Sequence, residues 1–127
     1  VLFDTLGVTA AGAATPELVE LRSVWPIAPG QAPLVAAGTT GDEASSCALN
    51  AAAACCLELD EGSKYARGHP SAHVLPAALA LGAATGCSGE RLVEAFLAGY
   101  EVDETELNPA RFDVVASCAE GYEGTAR

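Results

Sequence analysis

Two alanine-rich apolar runs most strongly limit what this 127-residue chain can fold into. Residues 42–57 read DEASSCALNAAAACCL, and residues 74–85 read VLPAALALGAAT. Alanine is the best helix former, and its small side chain lets neighbouring helices approach closely. Because only 6% of the residues are aromatic, the core must be built mainly from Ala, Leu and Val. The sequence therefore predicts an all-α fold of closely packed helices.

Local start and stop signals divide the chain into elements. Thr15-Pro16-Glu17 is a helix start, since threonine caps helices and proline is favoured at the first helical position. We expect Pro76 within a first turn, because a proline deeper inside a helix costs about 3 kcal/mol. The predicted helices span 1–14, 15–24, 42–57, 74–85, 88–102 and 110–119, with one very short strand at 34–37. We expect one helical domain over 1–127, with a frayed tail at 120–127.

Apolar spacing indicates which side of two helices faces the core. In the first helix, Leu2, Leu6 and the stretch 8–10 lie along one predicted packing side. In the helix at 88–102, apolar side chains recur every four residues, which is typical of an amphipathic helix with one buried side. These side chains are Leu92, Phe96 and Tyr100, with Val93 and Leu97 beside them.

The formal net charge of −11 excludes several classes of partner. Nucleic acid and an anionic membrane surface both require clustered cations, so neither is expected to bind. No apolar run reaches the ~18 residues of a membrane span. The five cysteines form no CxxC pair, which predicts reduced thiols packed as small hydrophobes in a cytoplasmic protein. No cofactor or metal is expected.

Chemistry-bearing residues concentrate at 57–76, between the two alanine-rich helices. Four of the eight Lys, Arg and His residues fall within ten positions there: Lys64, Arg67, His69 and His73. Because a helix N-terminus favours anions, this loop is a plausible pocket for an organic acid. A histidine there has a pKa suited to removing a proton beside a carboxylate. The acids that precede it, and that can orient it or act as a second acid or base, are Glu58, Asp60 and Glu61.

Two less specific interpretations of these residues stay open. A charged loop between helices is more often only a solvated connection. A metal site built from Glu58, Asp60, Glu61 and the histidines is a weaker hypothesis, because their spacing matches no defined metal motif.

The same residues carry a family pattern. LELDEG at 57–62 and GHPSAHVLPAALALGAATGCSGERLVEAFLAGYEV at 68–102 resemble the MmgE/PrpD family. That family includes 2-methylcitrate dehydratase, cis-aconitate decarboxylase and iminodisuccinate epimerase. DTLGVTAAGA at 4–13 is similar to its first long helix. The resemblance, from about Phe3 to Val102, implies a largely helical domain, usually in dimers, and lyase or isomerase chemistry on small di- and tricarboxylates without a nucleotide cofactor.

Site roles follow from this resemblance. His69 in GHP matches the family's active-site histidine, and Glu58 and Asp60 match acids of its D-x-D-D segment, so these three are the expected catalytic residues. Glu61 matches the last of those acids and is expected to bind substrate. Lys64, Arg67 and His73 are added as substrate-binding residues from local charge. Gly62 departs from the threonine that some members have.

The resemblance covers only the N-terminal part of the family's helical domain. Longer members carry catalytic lysines and a lid downstream of these residues, so this chain is expected to be truncated and to lack part of the active site. Two functions fit these features. One is an enzyme-type protein that binds or transforms a small polycarboxylate. The other is a non-catalytic helical module that oligomerises, as a homodimer, through its apolar helix faces.

Overall fold

The structure is a computed structural model that describes residues 1–64 and 67–106, with side chains described up to residue 102. Within these residues, five helices are joined by loops and one antiparallel hairpin, which confirms the predicted mainly helical class. The predicted helix at 110–119 and the tail at 120–127 lie outside the described residues. The elements are α1 Leu2–Ala13, α2 Pro16–Val24, β1 Ala32–Leu34, β2 Thr39–Gly41, α3 Glu43–Cys55, α4 Pro70–Thr85 and α5 Gly89–Glu106.

Helix α3 is the central element, packing against α1 and α4, while α4 packs in turn against α5. The Asp42 carboxylate caps α3 by accepting the Ser45 N–H at 2.9 Å, and this bond holds the pKa of Asp42 below its usual value. The Thr15 hydroxyl accepts the Leu18 N–H at 3.4 Å and caps α2 as predicted. A buried cluster of Ala13, Leu18 and Ala53 joins α1, α2 and α3.

The buried side of α1 agrees with the predicted one only in part, at Thr9 within the stretch 8–10. Thr5, Thr9 and Gly12 are buried, whereas Leu2 and Leu6 are only half-buried. The reason is close packing: a Cβ at Gly12 would overlap the Ala53 carbonyl oxygen of α3. Small residues at one-turn spacing permit this approach, while longer side chains would hold the helices apart.

The hairpin lies about two residues from the predicted strand. Strand β1 pairs with β2 in the register Ala32↔Gly41, so the predicted strand at 34–37 overlaps β1 only at Leu34. Residue Ala36 has φ 58° in the turn, a conformation that interrupts an extended run. Buried Asn50 of α3 fixes the hairpin, since it donates to the Pro33 carbonyl at 2.8 Å and accepts the Val35 N–H at 2.9 Å.

Helix α4 begins four residues before its predicted start. Pro70 takes the first helical position directly after His69, so Pro76 lies inside the helix and not in its first turn. That prediction was wrong because the sequence offers two prolines suited to a helix start. Pro76 has no N–H for the Ala72 carbonyl, but its ring is fully buried, which offsets part of the cost. The helix ends as predicted at Gly86, where φ is 64°.

Helix α5 extends past the predicted break at residue 102 and reaches Glu106. The Ser88 hydroxyl accepts the Arg91 N–H at 3.3 Å, as predicted for a cap. Phe96 is buried and its ring lies 5.8 Å from that of Tyr100, while Val93 and Leu97 are exposed. Within the described residues, the helices are all too short or too polar to cross a membrane.

The cysteines do not act as the buried small hydrophobes that were predicted. Cys47, Cys55, Cys56 and Cys87 are free thiols; Cys47 is half-buried, and the other three are mostly exposed. Cys118 lies outside the described residues. The buried side of α3 uses serine, alanine, leucine and asparagine instead.

Candidate functional site

The loop between α3 and α4 holds the charged residues of the predicted site. The Ser63 N–H donates to the Gly68 carbonyl at 2.9 Å, and the two residues form an antiparallel bridge. This bridge brings residue 61 back towards residue 69, so acids at one end of the loop meet the histidine at the other. Arg67, on the returning side, has φ 55°.

His69 and Asp60 are paired, and their side chains differ in exposure. The His69 Nδ1 lies 3.2 Å from Asp60 Oδ2, and the side chains are 50% and 6% exposed, respectively. The same nitrogen lies 2.9 Å from the Glu61 carbonyl oxygen. Because both neighbours of Nδ1 are acceptors, the neutral imidazole carries its proton on Nδ1 and keeps Nε2 as its basic nitrogen.

These two contacts also set the protonation of His69. The Glu61 carbonyl, and after it the negative charge of Asp60, raise the pKa of His69 above its ordinary value of 6.5. Both groups favour imidazolium, since each interacts more strongly with the charged ring than with the neutral one. The arrangement therefore strengthens His69 as a base and stabilises the cation that forms when it accepts a proton.

Glu61 is attached to the start of α4. One carboxylate oxygen lies 3.3 Å from the Ser71 N–H, and the other accepts a hydrogen bond from the Ser71 hydroxyl. The carboxylate of Glu61 therefore lies where the sequence suggested that a substrate carboxylate could bind, at a helix N-terminus. Glu61 closes the loop onto the helix by its side chain while its main chain contacts His69.

The structure places the other predicted residues around this pair. Glu58 is exposed, has φ 53°, and its N–H donates to the Cys55 carbonyl at 3.0 Å at the end of α3. Of the two acids expected to partner His69, Asp60 is the one in contact with the imidazole. Lys64 and Arg67 are exposed on the bridged loop, and His73 is exposed on the first turns of α4.

Asp60 also interacts with a thiol that the sequence did not single out. Partial burial raises the pKa of Cys55, and the charge of Asp60 and a hydrogen bond to its carboxylate raise it further. Cys55 therefore stays protonated near neutral pH and donates to the acid that holds His69. The sequence feature that could have indicated this contact is the position of Cys55 in the last turn of α3, five residues before Asp60.

Two further residues missed by sequence reasoning are Thr5 and Ser71. Both are almost completely buried, and the Thr5 hydroxyl lies 2.9 Å from the Ser71 hydroxyl. Ser71 directly follows Pro70, at the second position of α4. The role of Thr5 depends on the packing of α1 against the N-terminus of α4, which is a tertiary contact that the local sequence does not show.

His69 belongs to no metal-type cluster among the residues that the structure describes. Across residues 1–64 and 67–102, the His, Cys, Asp and Glu side chains form no group of three suited to a metal ion. A groove of about 510 Å³ runs between α4 and α5, lined by Leu81, Leu92 and Ala98 among others, away from the His69 loop. The His69 side chain is half-exposed.

Comparison with known proteins identifies the family. Among curated proteins and solved structures, no match to the chain was found. Residues 1–111 match the MmgE/PrpD N-terminal domain, a range that contains α1 to α5 and the whole His69 loop. The chain therefore belongs to the MmgE/PrpD family, through that family's N-terminal domain.

Proposed function

We propose that this chain supplies the proton-transfer histidine of a lyase or isomerase site for small di- or tricarboxylates. The observation that carries the proposal is the pair of acceptors at His69 Nδ1, the Asp60 carboxylate at 3.2 Å and the Glu61 carbonyl at 2.9 Å. They fix the ring, and they leave Nε2 as the basic nitrogen on a half-exposed side chain. Membership of the family supports this chemistry for the chain.

The proposed step is proton transfer at carbon. His69 Nε2 takes a proton from the carbon beside a substrate carboxylate, and the electron pair left behind moves into that carboxylate or expels a leaving group. The imidazolium formed is stabilised by Asp60 and by the Glu61 carbonyl. In the reverse direction the same nitrogen returns the proton, so addition and elimination use one residue.

Cations near the loop provide charge for the remaining carboxylates of the substrate. Lys64 and Arg67 are exposed on the bridged loop, and His73 follows one turn after His69 on α4. In a chain with a net charge of −11, this local concentration of bases is the feature that would attract a polyanion. Glu61 is bonded to Ser71, so we assign it a role in shaping the site in addition to the predicted substrate contact.

Thermal-shift measurements with citrate, tricarballylate and succinate at constant ionic strength test this proposal. We expect stabilisation of the parent, less of it for His69→Gln and Arg67→Gln, and no loss for Arg91→Gln, whose side chain is paired with Glu94 on α5. If no acid stabilises the parent, or if His69→Gln responds as the parent does, the proposal is wrong.

Assembly through α4 and α5 is a second candidate function, favoured by a specific observation. Leu81 of α4, which lines the groove between the two helices, is 60% exposed, and Val93, Leu97 and Val102 of α5 are exposed by 44% to 56%. We infer that a second copy of the chain packs against α4 and α5, because burying these side chains would remove apolar surface from water. Sedimentation should show a dimer that Leu97→Glu dissociates and Val24→Glu, on exposed α2, does not. A monomer at micromolar concentration would contradict it.

A further inference from the structure

A chain of buried hydroxyl groups connects α1 to the loop that carries Asp60 and His69. Its centre is Ser71, which is fully buried at the second position of α4. Ser71 has one hydroxyl proton, which it donates to the Glu61 carboxylate. Its oxygen therefore remains available as an acceptor, and Thr5 of α1 lies 2.9 Å away with its own hydroxyl.

The direction of these hydrogen bonds follows from the number of protons that each group can donate. Thr5 donates to Ser71, and Ser71 donates to Glu61, a sequence that ends on a carboxylate with only acceptor oxygens. The Thr5 hydroxyl also lies 3.1 Å from the Val1 carbonyl, so its one proton is shared between two acceptors. Thr5 and Ser71 are 1% and 0% exposed, so water does not readily replace either partner.

Glu61 links these hydroxyl groups to the imidazole of His69. Its carboxylate is bonded to the hydroxyl and N–H of Ser71, and its own carbonyl oxygen lies 2.9 Å from His69 Nδ1. Asp60, the other contact of Nδ1, is the preceding residue. A shift of Glu61 away from Ser71 would therefore move both acceptors of His69 together.

We propose that Ser71 and Thr5 are positioning residues: through Glu61, they fix the carbonyl and the carboxylate that hold the His69 ring. The inference rests on the proposed role of His69 in proton transfer and deepens it, since it assigns the support of that residue to two side chains that touch no substrate. Sequence alone gives neither residue such a role.

The test follows the ring signals of His69 in the 127-residue chain by NMR as pH is varied. Removing the support should lower the pKa of His69, because the Glu61 carbonyl is the largest cause of its raised value and Asp60 the next. We expect Ser71→Ala and Thr5→Val to lower the titration midpoint and to weaken or abolish the hydrogen-bonded Nδ1 proton signal. Thr5→Ser, which keeps the hydroxyl, should restore both.

Two matched variants separate positioning from loss of stability. Ser46→Ala removes an equally buried serine hydroxyl, which donates to the Ala32 carbonyl at 3.0 Å away from the loop. Thr9→Val removes a buried hydroxyl one turn along α1 that donates at 2.7 Å to the main-chain carbonyl of Thr5 and leaves the Thr5 hydroxyl in place. Both should leave the His69 titration unchanged even where they lower the unfolding temperature.

The outcomes are distinct from those that test the proposed function, because the titration needs no ligand. An unchanged His69 midpoint and Nδ1 signal in Thr5→Val and Ser71→Ala would overturn the inference, even if carboxylates bind. If Ser71→Ala does not fold, the inference is tested by comparing the His69 titrations of Thr5→Val and Thr5→Ser. A failure of carboxylates to bind the parent would instead count against the proposed function and leave the hydroxyl chain to be judged by the titration.

Discussion

The Nδ1 atom of His69 lies 3.2 Å from Oδ2 of Asp60, in a pair whose imidazole is half-exposed and whose carboxylate is almost completely covered. The difference in exposure gives the two residues different tasks. The covered carboxylate is held in place and orients the ring, while the open ring can exchange protons with a ligand or with water. A histidine oriented by an acid in this way is a common device of proton-transfer sites.

Replacing Asp60 with asparagine should lower the pKa of His69. The amide keeps an acceptor oxygen near Nδ1 but removes the negative charge that favours imidazolium. The measurement is an NMR titration of the His69 ring. Asp4→Asn, at an exposed acid in the first turn of α1, is the control and should leave the midpoint in place. An equal midpoint in the parent and Asp60→Asn would show that the charge of Asp60 does not act on the ring.

The stability that His69 contributes to the fold should decrease as pH rises. Because its folded pKa is raised, the contribution is complete below the unfolded value of about 6.5 and is lost as pH rises through the folded pKa. The ring is half-exposed, so the effect is on the order of a few tenths of a kcal/mol. Urea unfolding of the parent and His69→Gln between pH 5.5 and 8.5 should show a difference that shrinks with rising pH. A difference that grows would contradict the assigned contacts.

Two glycines of α1 should respond oppositely to alanine. A Cβ at Gly12 would overlap the Ala53 carbonyl oxygen and lie 2.8 Å from Cys56 Sγ, so Gly12→Ala should destabilise the fold by about 1–3 kcal/mol. At Gly7 a Cβ meets nothing within 4 Å, so Gly7→Ala should stabilise the helix by roughly 0.5–1 kcal/mol. Unfolding free energies of both variants check this contrast. Equal effects would mean that α1 and α3 are not in such close contact.

Truncating Asn50 should weaken the hairpin more than the helix that carries it. Asn50→Ala leaves the Pro33 carbonyl and the Val35 N–H without their side-chain partner, which costs about 1–3 kcal/mol for such groups. Amide hydrogen exchange should then accelerate at Val35 more than along α3. Thr40→Ala, at an exposed strand position, serves as the control with little change. Uniform acceleration across the chain would argue against a local attachment.

Much of the helical fold follows from sequence because its signals are local. Thr15 caps α2 by its own hydroxyl, Asp42 caps α3, and Gly86 ends α4 in the left-handed conformation that glycine favours. Each of these depends on a few neighbouring residues. The sequence also placed His69 ahead of a helix start, although the predicted start lay four residues later than Pro70.

The errors arose where tertiary packing decided between local alternatives. Pro70 and Pro76 both suited a first helical position, and burial of the Pro76 ring allowed the helix to begin at the earlier one. Thr5 of α1 escaped notice because hydroxyl residues are ordinarily counted as polar. Thr5 is buried with a partner 66 positions away, and no local pattern shows such a contact.

In the loop, the sequence brought acids and histidines together but did not choose among them. Glu58 and Asp60 were equally placed as partners of His69, two residues apart. The structure selects Asp60, since Glu58 closes the end of α3 at positive φ and is exposed. Glu61 is held by Ser71, a contact that depends on how the loop folds back on α4.

The most direct test of the central claim is an NMR titration of the His69 ring with citrate at constant ionic strength. Without ligand, we expect a pKa of His69 above 6.5 and a neutral ring protonated on Nδ1. Adding citrate should change the ring signals saturably and raise the pKa further, because a bound anion favours imidazolium. Acetate at the same ionic strength should have a smaller effect. A pKa at or below 6.5, with ring signals that do not respond to citrate, would contradict the proposed role of His69.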